Sequence, residues 1–414
     1  MEKIVVCAIN SDIQLDGIEL SIVQFTYLDQ DTDQWSITNL FFQQFGYPED
    51  LRKQIISTIK ECSKKTQDKF DDKLINQLEI EYGEFISKIL DQIEQQIQIN
   101  SVNLFAFNTL LIQLIEIDAK KLKSAAFLNK FCQQFAIKYQ IRVICNFFAY
   151  DFYLEGNGGP YQIIGQAKLF EQQNAMLNLS GFASFTHFLN KDDKETYQGD
   201  FICPAMFALN YASNWKKELL NQDTTIVDEE FLQQLQSSQK FKYTVYSMGK
   251  LMEFIDQQNI NPALKVATLK QYISQEIQSY LESLNQQGKV YVGGNFSEEL
   301  FKFLQQEIKQ IEFLKSKDYQ QIDSIITGFL AVRKNKLLLN VFKGVTKAIS
   351  DHSSGIIYIQ SEQPIILTRE PEIQQVPQEL KQSLDNSDDF ELAIQNLDEV
   401  QNIKISQIKL QSKK

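Results

Sequence analysis

Hydrophobic and polar positions alternate over the first forty or so residues of the chain. Ile4–Ile9 is β-branched and apolar, Asp16-Gly17 marks a turn, Ile18–Leu28 alternates, and Trp35–Phe42 repeats the alternation. This predicts a hairpin with its turn at Leu15-Asp16-Gly17, followed by a third strand. The period then lengthens to that of a helix. Leu51, Ile55, Ile56 and Ile59 predict a helix from Leu51 to Cys62, and Phe85, Ile86, Ile89, Leu90, Ile93 and Ile97 predict another over Tyr82–Ile97. Val102–Phe107 reads as a buried strand and Leu128–Tyr139 as a helix.

The alternation then returns. Arg142–Phe148 predicts a strand, Glu155–Pro160 a glycine-rich loop, and Met176–Phe188 two strands around Ser180-Gly181. Pro204 is expected to open a helix running to Trp215. Helices near Lys250–Gln258 and Leu264–Leu284 precede a strand, Lys289–Val292, that ends in Gly293-Gly294. A helix from Glu298, another over Ile322–Val332 and a short strand at Ile356–Ile359 follow. Helices between strands predict α/β architecture.

Composition narrows the function classes. The 414 residues are 43% hydrophobic and 23% charged, ordinary for a globular chain with room for two or three domains. There are 53 acidic against 41 basic residues, a net charge of -12, and no basic block. Nucleic acid is therefore not an expected partner. Two histidines, His187 and His352, exclude a histidine-rich metal centre, and no metal is expected. The five cysteines lack a C-x-x-C pair and read as buried thiols in a reducing compartment. The most apolar stretch, Val102–Ile117, is broken by Asn108, Gln113 and Glu116, so no membrane span is expected. Met1–Asn10 has no leader character, and a cytosolic setting is the expectation, with a cytoskeletal or ciliary assembly as one form of it.

From Glu362 the character changes. Pro364, Pro371 and Pro377 precede an acidic, glutamine-rich run over Gln378–Leu397. Residues 362–414 read as a tail that contacts other protein subunits, anchored by Leu392, Ile394, Leu397, Ile403, Ile405 and Ile408.

Three features suit phosphate binding: the hairpin turn at Asp16-Gly17, the second turn at Ser180-Gly181, and Gly293-Gly294 between a strand and a helix. The motifs around them resemble those of the anhydro-N-acetylmuramic acid kinases, a family of the actin-like ATPase and sugar-kinase superfold. The family's MSGTSLDG is answered by Asn10–Gly17 (NSDIQLDG), and GDFRxxDxxxGGQGAP by Asn146–Pro160 (NFFAYDFYLEGNGGP). NIGGIANLS is answered by Asn178–Thr186, GGGSRNPLL by Gly293–Phe301, DDMEALAFAWLA by Gln320–Ala331, and VTGA…VLG by Val345–Gly355. The matches are collinear over about residues 1–360.

The departures fall where the resemblance places chemistry. The phosphate-gripping Gly-Thr-Ser becomes Asp12-Ile13-Gln14. The position of the family's base is Asn146, and an amide accepts no proton at neutral pH; such a loss costs ~10²–10⁴ in rate. The arginine position is Phe148, which by analogy with lost electrostatic donors costs roughly another 10²–10³. Ser180 and Ser184 stand for a glycine and an asparagine in the second phosphate loop. The sugar-binding DTGPGN reads FICPAM at Phe201–Met206, with Phe201 for the aspartate and Pro204 kept; KSTGRE keeps only Lys242 and Thr244, and SHGQT reads Phe107–Leu111. Asp16, Gly17, Gly181, Gly293, Gly294 and Asn295 remain on the nucleotide side, Asp151 and Asn157 on the sugar side. The same glycines also serve the turns. Asp323, on an apolar helix face, reads as a satisfied buried or capping carboxylate, and His187 as a packing residue.

The resemblance implies a two-lobed fold, each lobe a mixed sheet flanked by helices. Residues 1–130 would form the first lobe with a return near 345–360, and residues 131–344 the second. The eroded motifs favour a catalytically inactive homologue that serves as a structural or interaction component, with no cofactor. Two alternatives stay open: an active ATP- and Mg²⁺-dependent amino-sugar kinase, and a nucleotide-binding regulator without turnover.

Overall fold

The computed structural model describes residues 2–11, 13–64, 72–94, 101–108, 114–118, 121–124, 129–170, 173–221, 226–238 and 245–359. Three antiparallel strands open the chain: β1 (Glu2–Asn10), β2 (Gly17–Asp29) and β3 (Gln34–Gly46). β1 and β2 are buried over most of their length on both faces, as their continuous apolar runs require. The pairing of β3 skips Leu40, and this bulge switches its faces: Trp35 and Ile37 join one core, Phe41 and Phe45 the other.

Next come α1 (Glu49–Lys64), α2 (Asp72–Glu94), β4 (Leu104–Asn108), a hairpin of β5 (Leu114–Asp118) and β6 (Lys121–Ser124), α3 (Asn129–Tyr139) and β7 (Arg142–Cys145). Helices α4 (Phe147–Tyr153) and α5 (Gln162–Lys168) lead to β8 (Ala175–Leu179), β9 (Phe182–His187) and β10 (Gln198–Pro204). Then follow α6 (Met206–Ala212), α7 (Lys217–Leu220), α8 (Glu229–Ser237), α9 (Val245–Gln257) and α10 (Pro262–Ser283). β11 (Gly288–Gly293), α11 (Glu298–Glu307), β12 (Ile311–Lys315), α12 (Ile322–Asn335), α13 (Lys343–Thr346) and β13 (Ile356–Tyr358) complete the order. Cap chemistry sets several helix starts: Asp228, Asn261 and Ser297 accept hydrogen bonds from the N–H groups of Phe231, Leu264 and Leu300.

The first sheet runs β13-β7-β4-β1-β2-β3 and the second β10-β9-β8-β11-β12. Ranked within its own sheet, each reads 3-2-1-4-5: an antiparallel meander, then two strands parallel to the first. β13 adds an antiparallel edge beside β7. A duplicated mixed sheet of this order, flanked by helices, is the two-lobed actin-like ATPase architecture.

Two helices tie the halves together. α12 comes from the second half of the chain but covers the first sheet, with Phe329 stacked on Phe25 at 5.5 Å and edge-on to Trp35 at 5.3 Å. α9 crosses α1 closely: a Cβ on Gly249 would run into Ser63 and stand 3.3 Å from the Ile59 carbonyl. Beside it Lys60 pairs with Asp256 at 2.7 Å.

Several sequence expectations need correction. The strand expected over Arg142–Phe148 stops at Cys145, because Asn146 takes a left-handed conformation (φ 57°) and Phe147 starts α4. Pro204 does not open a helix. It ends β10, a strand whose alternation Asp200 and Gly199 obscured, and α6 begins at Met206. The helix expected over Tyr82–Ile97 begins earlier, at Asp72. Because β7 completes the first sheet, that sheet runs past residue 130, where the lobe boundary was expected. Asp12, Lys242, Thr244, residues 109–111 and the tail 362–414 lie outside the described residues.

Candidate functional site

A cleft of about 110 Å³ opens between the sheets. Parallel pairing of β1, β4 and β7 brings their carboxyl ends together, and Asn10, Asn108 and Asn146 stand there side by side. Asn108 Nδ2 donates to Asn10 Oδ1 at 2.8 Å. The Asn146 side chain, 1% exposed, has neither its oxygen nor its nitrogen hydrogen-bonded. Carboxyl ends of parallel strands are where α/β sheets receive ligands. Six apolar side chains, Ile13, Phe148, Phe182, Phe201, Ile326 and Leu330, line the cleft with them. No lysine, arginine or histidine is among the described residues lining it.

The two hairpin turns that face each other across the cleft touch. A Cβ added to Gly181 would stand 2.9 Å from Ile13 Cβ and 3.0 Å from the Gln14 nitrogen. The Gln14 carbonyl accepts from Asn210 Nδ2 at 3.4 Å and Trp215 Nε1 at 3.3 Å, both from the second half of the chain. Asn295 Nδ2 donates to Asp16 Oδ2 at 3.1 Å, closing a second bridge. Arg52 donates to the Leu15 carbonyl at 3.0 Å and lies over the Trp215 ring at 5.1 Å. Burial pushes the Asp16 carboxyl above its ordinary range, against the pull of its backbone hydrogen bonds and Arg52. Ser11 is turned inward, with its N–H on the Asn108 carbonyl at 2.9 Å and its hydroxyl accepting from Tyr82.

The remaining glycines are needed for close packing. A Cβ on Gly294 (φ 98°) would strike Asn178 Oδ1 and stand 2.7 Å from Ser180 Oγ. One on Gly17 would strike the Phe45 carbonyl across the β2–β3 pairing. Gly293 packs on Ile322 in the same way.

Asp323, at the head of α12, supplies the cleft's one carboxylate among the described lining residues. It accepts from Asn178 Nδ2 at 2.9 Å, Gln162 Nε2 at 3.3 Å and the Ser180 hydroxyl, so it is the satisfied carboxylate the sequence suggested. Burial raises its pKa while these donors hold it down. Ser184 and Thr327 line the same polar wall.

Asp151 belongs to a separate hub. Fully buried, it accepts from Thr346 Oγ1 at 2.6 Å and the Gly158 N–H at 2.7 Å, and lies 3.5 Å from His352 Nε2. The Asn157 N–H donates to the Thr346 carbonyl at 2.7 Å. The hub thus clasps the glycine-rich loop to the returning chain. Burial pushes the Asp151 carboxyl up to about 6 and His352 down to about 4. His187 lies on β9 against the Phe185 ring at 5.5 Å, and burial lowers its pKa. Phe201 lines the cleft beside Gly159, while Pro204 is buried at the end of β10.

The structure therefore gathers Ser180, Ser184 and Phe201 in one cleft, packs Gly181 and Gly294 against residues that line it, bridges Asp16 to Asn295, and sends Asp151 and Asn157 to a clasp. Sequence reasoning missed Asn10, Asn108, Gln162 and Thr346. For the two asparagines the signal was present: each is the polar residue that ends an apolar strand run.

No protein-family model matches the chain, and no curated protein does. Among solved structures it is similar to the (R)-2-hydroxyglutaryl-CoA dehydratase component A of Acidaminococcus fermentans. Identity is 7% and the TM-score 0.37, over 80% of this chain and 99% of that one. The fold rests on the duplicated strand order, not on this overlay.

Proposed function

We propose that the protein is a catalytically silent descendant of the anhydro-N-acetylmuramic acid kinases, kept as a rigid interaction component. The observation that carries this reading is the contact of the two hairpin turns, Ile13-Gln14 against Gly181. In a two-lobed ATPase, phosphates need the space between these turns.

The residues present do not fit Mg·ATP. The cleft is about 110 Å³, against the ~300 Å³ at which ordinary small-molecule pockets begin. Phosphoryl transfer depends on positioned cations and dipoles, and the described lining offers no cationic side chain. Magnesium is held through carboxylates that remain free to bind it, whereas Asp323 is engaged by Ser180, Asn178 and Gln162. At the positions of the family's base and arginine, Asn146 and Phe148 can neither take a proton nor offset charge. The Asp16–Asn295 bridge and the bonds of Asn210 and Trp215 to the Gln14 carbonyl hold the lobes to each other, which suits a scaffold. Other protein subunits, reached by residues 362–414, are the partners this reading assigns.

The test is ATP turnover dependent on anhydro-N-acetylmuramic acid. The purified protein is expected to show none above a heat-killed control, and Asn146→Asp is expected not to restore it, because Phe148 and the closed turns remain. Sugar-dependent turnover by the unaltered chain would support the active-kinase reading instead.

A further inference from the structure

β3 differs from the other sheet edges among the described residues. β13 is three residues long, β12 carries Glu312 and Lys315, and β10 carries Asp200 and ends in Pro204. Shortness, charge and proline are the usual guards of an open edge. β3 runs thirteen residues without a charge or a proline and pairs only with β2. Its one guard is the bulge at Leu40, whose side chain is 53% exposed.

Acidic residues stand just beyond both ends of this uncharged stretch: Asp29 at the end of β2 and Asp31 in the turn after it, and Glu49, paired with Lys53 at 2.6 Å, and Asp50 at the head of α1. Such an edge favours an extended segment with apolar positions and basic side chains. A second copy of β3 laid antiparallel would set Asp29 and Asp31 of one chain near Glu49 and Asp50 of the other, which like-charge repulsion opposes. The chain itself contains a segment of the fitting chemistry, residues 401–414 (QNIKISQIKLQSKK). Ile403, Ile405, Ile408 and Leu410 are spaced among polar residues, and Lys404, Lys409, Lys413 and Lys414 meet no acidic residue there, in a chain of net charge -12.

Reach is sufficient. β13 lies at the opposite edge of the same sheet, about five strand spacings or ~24 Å from β3. The roughly 40 residues between β13 and residue 401 suffice by length alone, since a chain of that many residues reaches up to ~130 Å.

We propose that residues 401–414 add to the β3 edge as a further strand of the first sheet of their own chain. The seat is outside the cleft and does not rest on the cleft's inactivity. A partner that takes up the tail then competes with β3 for it.

The test is hydrogen exchange on the full chain, on a chain ending at residue 400, and on the full-length Lys404→Glu/Lys409→Glu variant, which leaves the lobes untouched. Amides of residues 36–45 are expected to exchange at least tenfold faster in the shortened chain, to regain protection when the synthetic peptide 401–414 is added, and to speed up in the charge variant. Unchanged exchange over 36–45 in both altered proteins overturns the proposal. So do zero-length cross-links from Lys404 or Lys409 to Asp29, Asp31, Glu49 or Asp50 that form only between differently isotope-labelled chains, since the strand would then be exchanged between copies.

Discussion

The β1–β2 and β8–β9 hairpins hold the same place in their sheets and differ in what their turns present. The second turns in two residues, Ser180-Gly181, and retains a polar wall behind it, with Asn178, Ser180 and Gln162 on Asp323. The first takes a longer turn whose polar groups are used by the fold. Ser11 accepts from Tyr82, the Gln14 carbonyl from Asn210 and Trp215, the Leu15 carbonyl from Arg52, and the Asp16 carbonyl from the Tyr47 N–H. The β8–β9 side presents a polar wall, the polar groups of the β1–β2 turn are engaged by the fold, and the turn glycines of both, Gly17 and Gly181, abut another chain segment.

The largest effect is expected on the polar side. Asp323→Ala leaves the donors of Asn178, Gln162 and Ser180 without their acceptor, and about 3 kcal/mol of stability should be lost in urea unfolding. A loss below about 1 kcal/mol would mean that the wall is solvated and not structural.

At the clasp beside the cleft, Asp151 and His352 oppose each other in pH. The Asp151 pKa is raised to about 6, so the stability it contributes is present below its unfolded pKa and is lost as pH rises towards 6. The His352 pKa is lowered to about 4, so its burial costs stability at low pH and that cost vanishes as pH rises. Between pH 4 and 6 the two slopes largely cancel. Asp151→Asn removes the falling one: relative to the unaltered protein, its stability should rise by about 2–3 kcal/mol from pH 4 to 6. Parallel pH profiles would show that Asp151 is ionised throughout.

A smaller effect separates touching turns from open ones. Gly181→Val would force atoms against Ile13 and Gln14, where a Cβ has only 2.9–3.0 Å, and overpacking of this kind costs about 2 kcal/mol. In an open cleft the added methyl groups would meet nothing, and the melting temperature would hold.

Much of this comparison was legible in the sequence, and the reasons are local. Both hairpins announce themselves by alternation around Asp16-Gly17 and Ser180-Gly181, and Gly293-Gly294 marks the end of β11. The departures of Asn146, Phe148 and Phe201 from the motifs the sequence resembles were readable residue by residue. The end of β7 was not, because the apolar run continues through Phe147 and Phe148 and only the left-handed Asn146 breaks it. Nor was the role of Asp151, whose partner Thr346 is 195 positions away. The contact of the two turns joins residues 13–14 to 181, a tertiary fact that no local spacing encodes.

Isothermal titration of the full-length protein with Mg·ATP tests the central claim most directly. With the turns in contact and no cationic side chain among the described cleft residues, the account predicts no saturable heat up to millimolar nucleotide. One-to-one binding in the micromolar range would contradict it, since the hairpins would then have to part to admit the phosphates.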